Sequence, residues 1–365
     1  MKKISPDRLH KLRVNSGLTQ PELAKRMGID TSTISRWEKG IREPSLEQCI
    51  SLSRSLGITL DYLLNAELSV NFQFRSKKTL SSLEKSAISS ALVDAEMQIY
   101  YLDSAYKLAE KLPSPFNLKY DFYQQQLPTI TEQLRNILKL NQRITFEEFK
   151  QALSEINIHV FEWALPLDVS GFSYRDSYSV VFINRLHSKE RKLFTLAHEF
   201  AHLLFHLGRE NKQTVVSLIS SSRDPVEKEA YAFASELLMP SNMLDKIIEE
   251  VGKNLKRIEV LDHISHYFNV SREALFYRLV EKGIFSWEEK KLYFSKYKID
   301  DEVPRTRIEN IDEEISPEFL RTALELYDME NISAGKLADW FFVGQVSLEE
   351  YLSARTNVIE EILVF

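Results

Sequence analysis

One apolar run limits most strongly what this chain can fold into: residues 191–206 read RKLFTLAHEFAHLLFH. His198 and His202 are four residues apart, so on a helix their side chains lie one turn apart, about 40° around the axis. The residues between and after them are mostly apolar, which predicts a buried helix. Buried polar groups need partners, and two imidazoles at this spacing can both bind one tetrahedral zinc ion. The alternative is a pair of core histidines bonded to backbone carbonyls.

Further residues near this run extend the prediction of a metal site. Glu199 lies beside the histidines, where it could hold and deprotonate a water whose pKa zinc lowers to about 7. A third ligand should come from the helix predicted by DPVEKEAYAFASELLMP at residues 224–240, which starts at Pro225 and has Glu227 and Glu229 near its start. These two carboxylates point about 200° apart, and the residues alone leave both open as the ligand. In a regular helix His206 lies about 12 Å from His198, too far to share the ion, so we interpret it as a residue that supports a ligand or as a helix-end residue.

The N-terminal part of the chain predicts five short helices between residues 9 and 64. Thr19-Gln-Pro-Glu22 and Ser45-Leu-Glu-Gln48 are capping boxes, and Gly28 and Gly40 mark helix ends. Two short helices joined by a glycine-containing turn are typical of a helix-turn-helix. Residues 1–65 contain 11 Lys and Arg against 7 Asp and Glu, although the whole chain has a net charge of -6. This concentration of basic charge favours contact with DNA phosphates.

The motifs TQPELA, DTSTISRWEKG and LDYLL in residues 5–65 resemble the lambda-repressor-like (XRE) family of helix-turn-helix proteins. The resemblance implies a double-stranded DNA operator as partner, with residues 30–39 as the recognition helix. Arg36 is the best candidate to read a guanine base. Gln20 and Lys39 match positions that contact phosphate and so fix the register on the duplex. A small helical bundle for protein contacts is the alternative. The residues that the resemblance implies for DNA binding are Gln20, Thr31, Ser32, Ser35, Arg36 and Lys39.

The motifs FTLAHEFAHLLFH and EKEAYAFASELLMP together resemble the ImmA/IrrE family of metallopeptidases over residues 140–285. The resemblance implies a zincin-like fold in which His198, His202 and Glu227 bind Zn²⁺ and Glu199 is catalytic. It also implies a repressor or antitoxin protein as substrate, or the chain itself.

The chain departs from this family at Tyr231, where the family usually has Asn or Asp. The change could loosen a metal ligand, since residues that support ligands can alter metal affinity or activity by about 10–100-fold. Alternatively, the Tyr231 hydroxyl could donate a hydrogen bond to the site or to an oxyanion. The departure supports a second hypothesis: a non-catalytic transcription factor or antitoxin whose peptidase-like domain only senses a ligand or mediates dimerisation.

The remaining pattern predicts the fold class and the domain organisation. Strands are expected at residues 68–75, 158–163 and 179–184, and the last two predict a small antiparallel sheet beside the His-bearing helix. With only 10 glycines in 365 residues, we expect a mainly α fold with this small sheet, an α+β class. We expect a DNA-binding domain at 1–66, a strand and helical scaffold at 67–140, a metallopeptidase-like domain at 141–290 and a C-terminal helical region of unassigned role at 291–365.

The location of the protein is predicted from what the sequence lacks. The N-terminus has no apolar signal segment, and no run approaches the roughly 20 apolar residues that span a bilayer. We therefore expect a cytoplasmic protein that does not bind membranes. A two-fold symmetric operator would imply a homodimer.

Overall fold

The computed structural model describes residues 4–65, 82–111, 118, 120–166, 169–207, 214–218, 224–289 and 310–363. Helices dominate these residues beside one small sheet, so the α+β class predicted from the sequence is confirmed. The strand expected at residues 68–75 lies outside the described residues. Within the part of the chain that is described, no helix is both long and apolar enough to cross a membrane.

The five helices expected at the start of the chain are present. Thr19 accepts a hydrogen bond from Glu22 N and Ser45 accepts one from Gln48 N, so both predicted capping boxes form. Gly28 ends the second helix at a φ of 67°, in the left-handed region that favours glycine. Local capping thus determines where the second and fourth of these helices begin. Their bounds are α1 Pro6–Asn15, α2 Gln20–Met27, α3 Thr31–Glu38, α4 Leu46–Leu56 and α5 Leu60–Asn65.

The rest of the described chain forms a four-stranded sheet surrounded by helices. The strands are β1 Ile158–Trp163, β2 Val169–Arg175, β3 Ser179–Asn184 and β4 Thr214–Leu218. The helices are α6 Ser82–Leu108, α7 Leu127–Ile137, α8 Phe146–Glu155, α9 Lys189–Ala201, α10 Pro225–Leu238, α11 Ser241–Val251, α12 Ile258–Tyr267, α13 Arg272–Glu281, α14 Ile311–Glu314, α15 Pro317–Asp328, α16 Ala334–Phe341 and α17 Gln345–Leu363.

The strand pairing corrects one prediction. The sheet order is β1-β3-β2-β4, with β1 parallel to β3 and with β2 antiparallel to both β3 and β4. The sheet is therefore mixed, and the antiparallel pairing expected for residues 158–163 and 179–184 is wrong. The reason is β2, whose Gly171 and polar residues resemble a turn in the sequence. The chain reverses once into β2 and again into β3, so β3 runs in the same direction as β1.

The two faces of the sheet belong to two different hydrophobic cores. One face belongs to a first core that also contains residues of α1–α6 and of the C-terminal helices α14–α17. The other face packs with α7–α13 in a second core that includes α9. The sheet residues of the first core are Phe161, Trp163, Val169, Phe172, Tyr174, Val180 and Phe182, and those of the second are Ile158, Val160, Val181 and Ile183.

The C-terminal helices pack on the sheet and on α6. The ring of Phe319 on α15 lies 5.9 Å from that of Phe161 on β1. Lys111 Nζ, just after α6, donates to Thr322 Oγ1 at 2.8 Å, and Arg185 Nη1 lies 2.9 Å from Glu314 Oε1. The described residues after position 310 thus share a core with the N-terminal helices. The four domain boundaries drawn from the sequence remain predictions.

Candidate metal centre

The predicted His-bearing helix is α9, which continues into a single π-helical turn at His202–His206. Ser188 caps its beginning by accepting a hydrogen bond from Arg191 N. The apolar residues of α9 are buried in the second core, as the sequence pattern predicts. Helix α10 packs along α9, so side chains from the start of α10 meet those from the end of α9.

Three side chains from these two helices converge on one point. His198 Nε2 lies 3.0 Å from Glu227 Oε2, and His202 Nε2 lies 3.2 Å from His198 Nε2. The third separation, from His202 Nε2 to Glu227 Oε1, is 3.6 Å. All the candidate ligand atoms lie within 4.8 Å of one another. The structure therefore brings together the three residues that the sequence singled out as metal ligands.

The donor set fits a zinc ion. Ligand atoms about 2.0–2.2 Å from a tetrahedral ion lie about 3.3–3.6 Å from each other, close to the separations of this cluster. Glu227 is 6% exposed, and its Oε1 is buried without a hydrogen-bond partner among the described residues. A cation would supply the partner that this oxygen lacks.

The protonation states also suit a metal. Burial alone would raise the pKa of Glu227, but the neighbouring imidazoles of His198 and His202 lower that pKa well below its usual range. Burial lowers the pKa of His202, although the nearby carboxylates oppose this effect. An ionised carboxylate and a neutral imidazole are the forms that bind metals.

The predicted catalytic residue, Glu199, is fully buried beside the cluster. Its Oε2 accepts a hydrogen bond from Ser173 Oγ on β2 at 2.8 Å, and its charge raises the pKa of His202. Sequence reasoning missed Ser173 because β2 resembled a turn. The alternation of the aromatic Phe172 and Tyr174 with the polar Ser173 and Arg175 is the signal that could have revealed it.

Two residues of α10 occupy positions away from the cluster. Glu229, the alternative ligand, has its Oε2 3.1 Å from His206 Nε2. The ring of Tyr231 packs between Phe194, at 4.9 Å, and Tyr277, at 6.0 Å, and burial raises the pKa of its hydroxyl. No hydrogen bond among the described residues joins Tyr231 to the three converging side chains.

The predicted DNA-contact residues lie on α3 and at the start of α2. Ile34 and Trp37 are buried, so α3 turns its polar face outward, with Thr31, Ser32, Arg36 and Lys39 exposed and Ser35 half-buried. Gln20 is half-buried and its Nε2 donates to Glu38 Oε2 at 2.8 Å, which holds the start of α2 against the end of α3. Arg13 Nε donates to the same carboxylate at 2.6 Å.

Comparison with known proteins agrees with both parts of the structure. A family model described as helix-turn-helix matches residues 9–63, and one described as IrrE N-terminal-like domain matches residues 153–280. The uncharacterized HTH-type transcriptional regulator YqaE of Bacillus subtilis is 37% identical over 79 residues, which is 21% of this chain and 68% of that protein.

Two further Bacillus subtilis proteins match one part each. Metallopeptidase ImmA is 32% identical over 97 residues, which is 27% of this chain and 54% of that protein. The HTH-type transcriptional regulator ImmR is 32% identical over 60 residues, which is 16% of this chain and 47% of that protein. These two matches span about half the length of each relative. The chain therefore belongs to the helix-turn-helix family of transcriptional regulators and joins to that module an IrrE N-terminal-like domain of the ImmA/IrrE type.

Proposed function

We propose that this regulator binds a duplex DNA operator and is also a zinc-dependent peptidase that hydrolyses a peptide bond in a repressor or antitoxin protein, or in a copy of itself. The observation that carries the proposal is the convergence of His198, His202 and Glu227 within 4.8 Å. Likeness to a metallopeptidase in one part and to a transcriptional regulator in the other supports the combination.

The chemistry is divided between a metal and the chain. Zinc held by His198, His202 and Glu227 supplies, when bound, a Lewis acid that lowers the pKa of water and polarises a carbonyl. Glu199 accepts the proton of the attacking water and returns it to the leaving amine. Ser173 donates a hydrogen bond to one oxygen of that carboxylate at 2.8 Å and so orients the carboxylate for the proton transfer. Because Glu199 is fully buried, its charge acts in a setting of low dielectric constant.

One observation favours a second function. Tyr231 replaces the Asn or Asp of the resembling family, and no hydrogen bond of the described residues connects it with the metal ligands. A regulator whose peptidase-like domain has lost activity and only senses a ligand would tolerate this change. The two functions differ in zinc content and in cleavage, so one set of variants separates them.

The test of the peptidase uses the purified full chain, with zinc measured by mass spectrometry. Cleavage is followed on the chain itself and on the proteins encoded beside it, with and without a chelator. Glu199→Gln should keep stoichiometric zinc and abolish cleavage, whereas Glu190→Gln, at the start of the same helix, should cleave normally. Cleavage by Glu199→Gln would contradict the mechanism, and a wild-type chain without zinc or cleavage would support the non-catalytic function.

The test of DNA binding uses duplexes selected from a random pool. Arg36→Ala should weaken binding to the selected sequence by about 1–3 kcal/mol and relax the preference at one base pair. Lys39→Ala should weaken binding to all duplexes alike, because a phosphate contact carries no sequence information. Arg54→Ala, an exposed arginine on α4, is the control. Equal binding by the Arg36 and Arg54 variants would overturn the assignment of α3.

A further inference from the structure

The π turn at the end of α9 changes which backbone groups are bonded. Leu207 N, which a regular helix would direct to Leu203 O, donates instead to His202 O at 2.9 Å. Arg175 Nη1 on β2 donates to Leu203 O, and Tyr120 N donates to Leu204 O at 3.3 Å. The buried Arg175 side chain thus replaces a helical hydrogen bond and stabilises the wider turn.

The wider turn keeps three histidines in one row. In a regular helix, four residues rotate through about 400°, so each side chain four residues further along lies about 40° further around the axis. A π turn has more residues per turn, so four of its residues rotate through less than a full turn. The side chain is therefore shifted back in the opposite direction around the axis. The ring centroids of His198 and His202 lie 4.9 Å apart, and those of His202 and His206 are also 4.9 Å apart.

The row of histidines ends at the carboxylate of Glu229, which determines the direction of the hydrogen bonds along the row. Glu229 Oε2 can only accept, so His206 Nε2, 3.1 Å away, carries the proton between them. The other nitrogen of a neutral His206 then accepts, and it lies 2.9 Å from His202 Nδ1. With His206 neutral, His202 carries its proton on Nδ1, and its Nε2, which faces His198 and Glu227, keeps the lone pair that can bind a metal.

We propose that His206 and Glu229 are positioning residues that hold His202 in the tautomer able to bind the metal through Nε2, and that Arg175 places His206 for this by closing the π turn. The inference rests on the proposed metal centre. In the described part of the chain, His206 reaches the ligand cluster of His198, His202 and Glu227 through His202, and Glu229 reaches it through His206. Hydrogen-bonded partners of this kind orient a ligand and raise its basicity, and their loss weakens metal binding by about 10–100-fold.

The experiment measures Zn²⁺ affinity of the full-length protein by competition with a chromophoric chelator. His206→Phe keeps a ring but loses the acceptor, and we expect Zn²⁺ binding to weaken by about 10–100-fold. His206→Asn keeps an oxygen near the position of Nδ1 and should restore most of the affinity. Glu229→Leu should weaken binding, whereas Glu229→Gln, which keeps an acceptor oxygen, should weaken it less. His263→Phe, at an exposed histidine of α12, is the control and should bind as the wild type does.

A second measurement separates positioning from direct ligation. The visible absorption of the Co²⁺-loaded protein reports the number and type of ligands. We expect saturated His206→Asn and Glu229→Leu to keep the wild-type spectrum, because the three ligands are unchanged. A changed spectrum at saturation would assign His206 as a ligand and overturn the inference.

The outcomes distinguish this inference from the proposed function. If the wild type binds Zn²⁺ and the folded His206→Phe and Glu229→Leu variants bind it equally well, the inference fails and the metal centre stands. If the wild type binds no Zn²⁺, the proposed function fails together with the inference. If His206→Phe does not fold, the comparison of Glu229→Leu with Glu229→Gln decides.

Discussion

His159 provides a prediction of stability whose size follows from its surroundings. It lies on β1 at 2% exposure, with the rings of Tyr106 and Tyr178 at 5.6 and 6.3 Å. Its Nδ1 lies 3.1 Å from Ser316 Oγ on the loop before α15, and its Nε2 lies 3.4 Å from the Tyr106 hydroxyl. Burial lowers the pKa of His159 from 6.5 to about 4, although the charge of Glu318 opposes this.

The lowered pKa makes the free energy of unfolding depend on pH. The unfolded chain takes up the proton near pH 6.5 and the folded chain only near pH 4, so this contribution is complete above pH 6.5 and is lost as the pH falls towards 4. A difference of this size corresponds to about 3 kcal/mol in total, of which about 2 kcal/mol is lost between pH 7 and pH 4.5.

Urea unfolding of the wild type and of His159→Gln at these two pH values measures the effect. The amide of Gln does not titrate, so the variant should lose about 2 kcal/mol less than the wild type on acidification. His263→Gln, at an exposed position, should lose as much of its free energy of unfolding between pH 7 and pH 4.5 as the wild type does. An equal loss in the wild type and His159→Gln would refute the reasoning and would mean that the contact between β1 and the C-terminal helices opens to water.

Three further predictions concern the sheet, the helix-turn-helix and the metal. A Cβ added at Gly171 would lie 2.7 Å from Phe182 O and 2.9 Å from Thr195 Cγ2. Gly171→Ala should therefore lower the free energy of unfolding in urea by about 1–3 kcal/mol. An unchanged urea midpoint would contradict this packing. Partial burial would raise the pKa of Glu38, but hydrogen bonds, of which the one from Arg13 has the largest effect, lower this pKa to about 2. The stability that the ionised carboxylate provides is present above pH 4.5 and is lost as the pH falls towards 2. Glu38→Gln should therefore speed amide hydrogen exchange in α1–α3 at pH 7 and have less effect at pH 3, and equal effects at both would argue against the ion pair. Free Zn²⁺ at 100 times its Kd should stabilise the chelator-treated protein by about 2.7 kcal/mol in thermal unfolding, and no shift in Tm would argue against a metal site.

The helices could be predicted from the sequence better than the sheet. Capping boxes and terminal glycines act within four residues, so the ends of α2 and α4 follow from local sequence. Strand pairing depends on contacts between distant residues, and β2 was interpreted as a turn because Gly171, Ser173 and Arg175 are not typical strand residues. These three residues face α9, where a close approach and two polar contacts are required, and this requirement is visible only in the folded chain.

The candidate site was predictable where helical spacing alone determines it. The four-residue interval predicts that His198 and His202 share a face, and the structure has them there. The choice between Glu227 and Glu229 depended on a family resemblance, because spacing leaves both open. The same four-residue interval places His206 on this face beside His202, whereas the π turn could not be predicted, since it depends on an arginine from a distant strand.

Strand β2 links two requirements through a single hydrogen-bond register. It presents Phe172 and Tyr174 to the core shared with α6, and Ser173 and Arg175 to α9. Because successive side chains of a strand alternate, a slip of one residue against β3 would exchange the two pairs. Both polar contacts would be lost at once, and two aromatic rings would be forced against the buried histidines. Substitutions that loosen this pairing should therefore impair the fold and the candidate metal centre together.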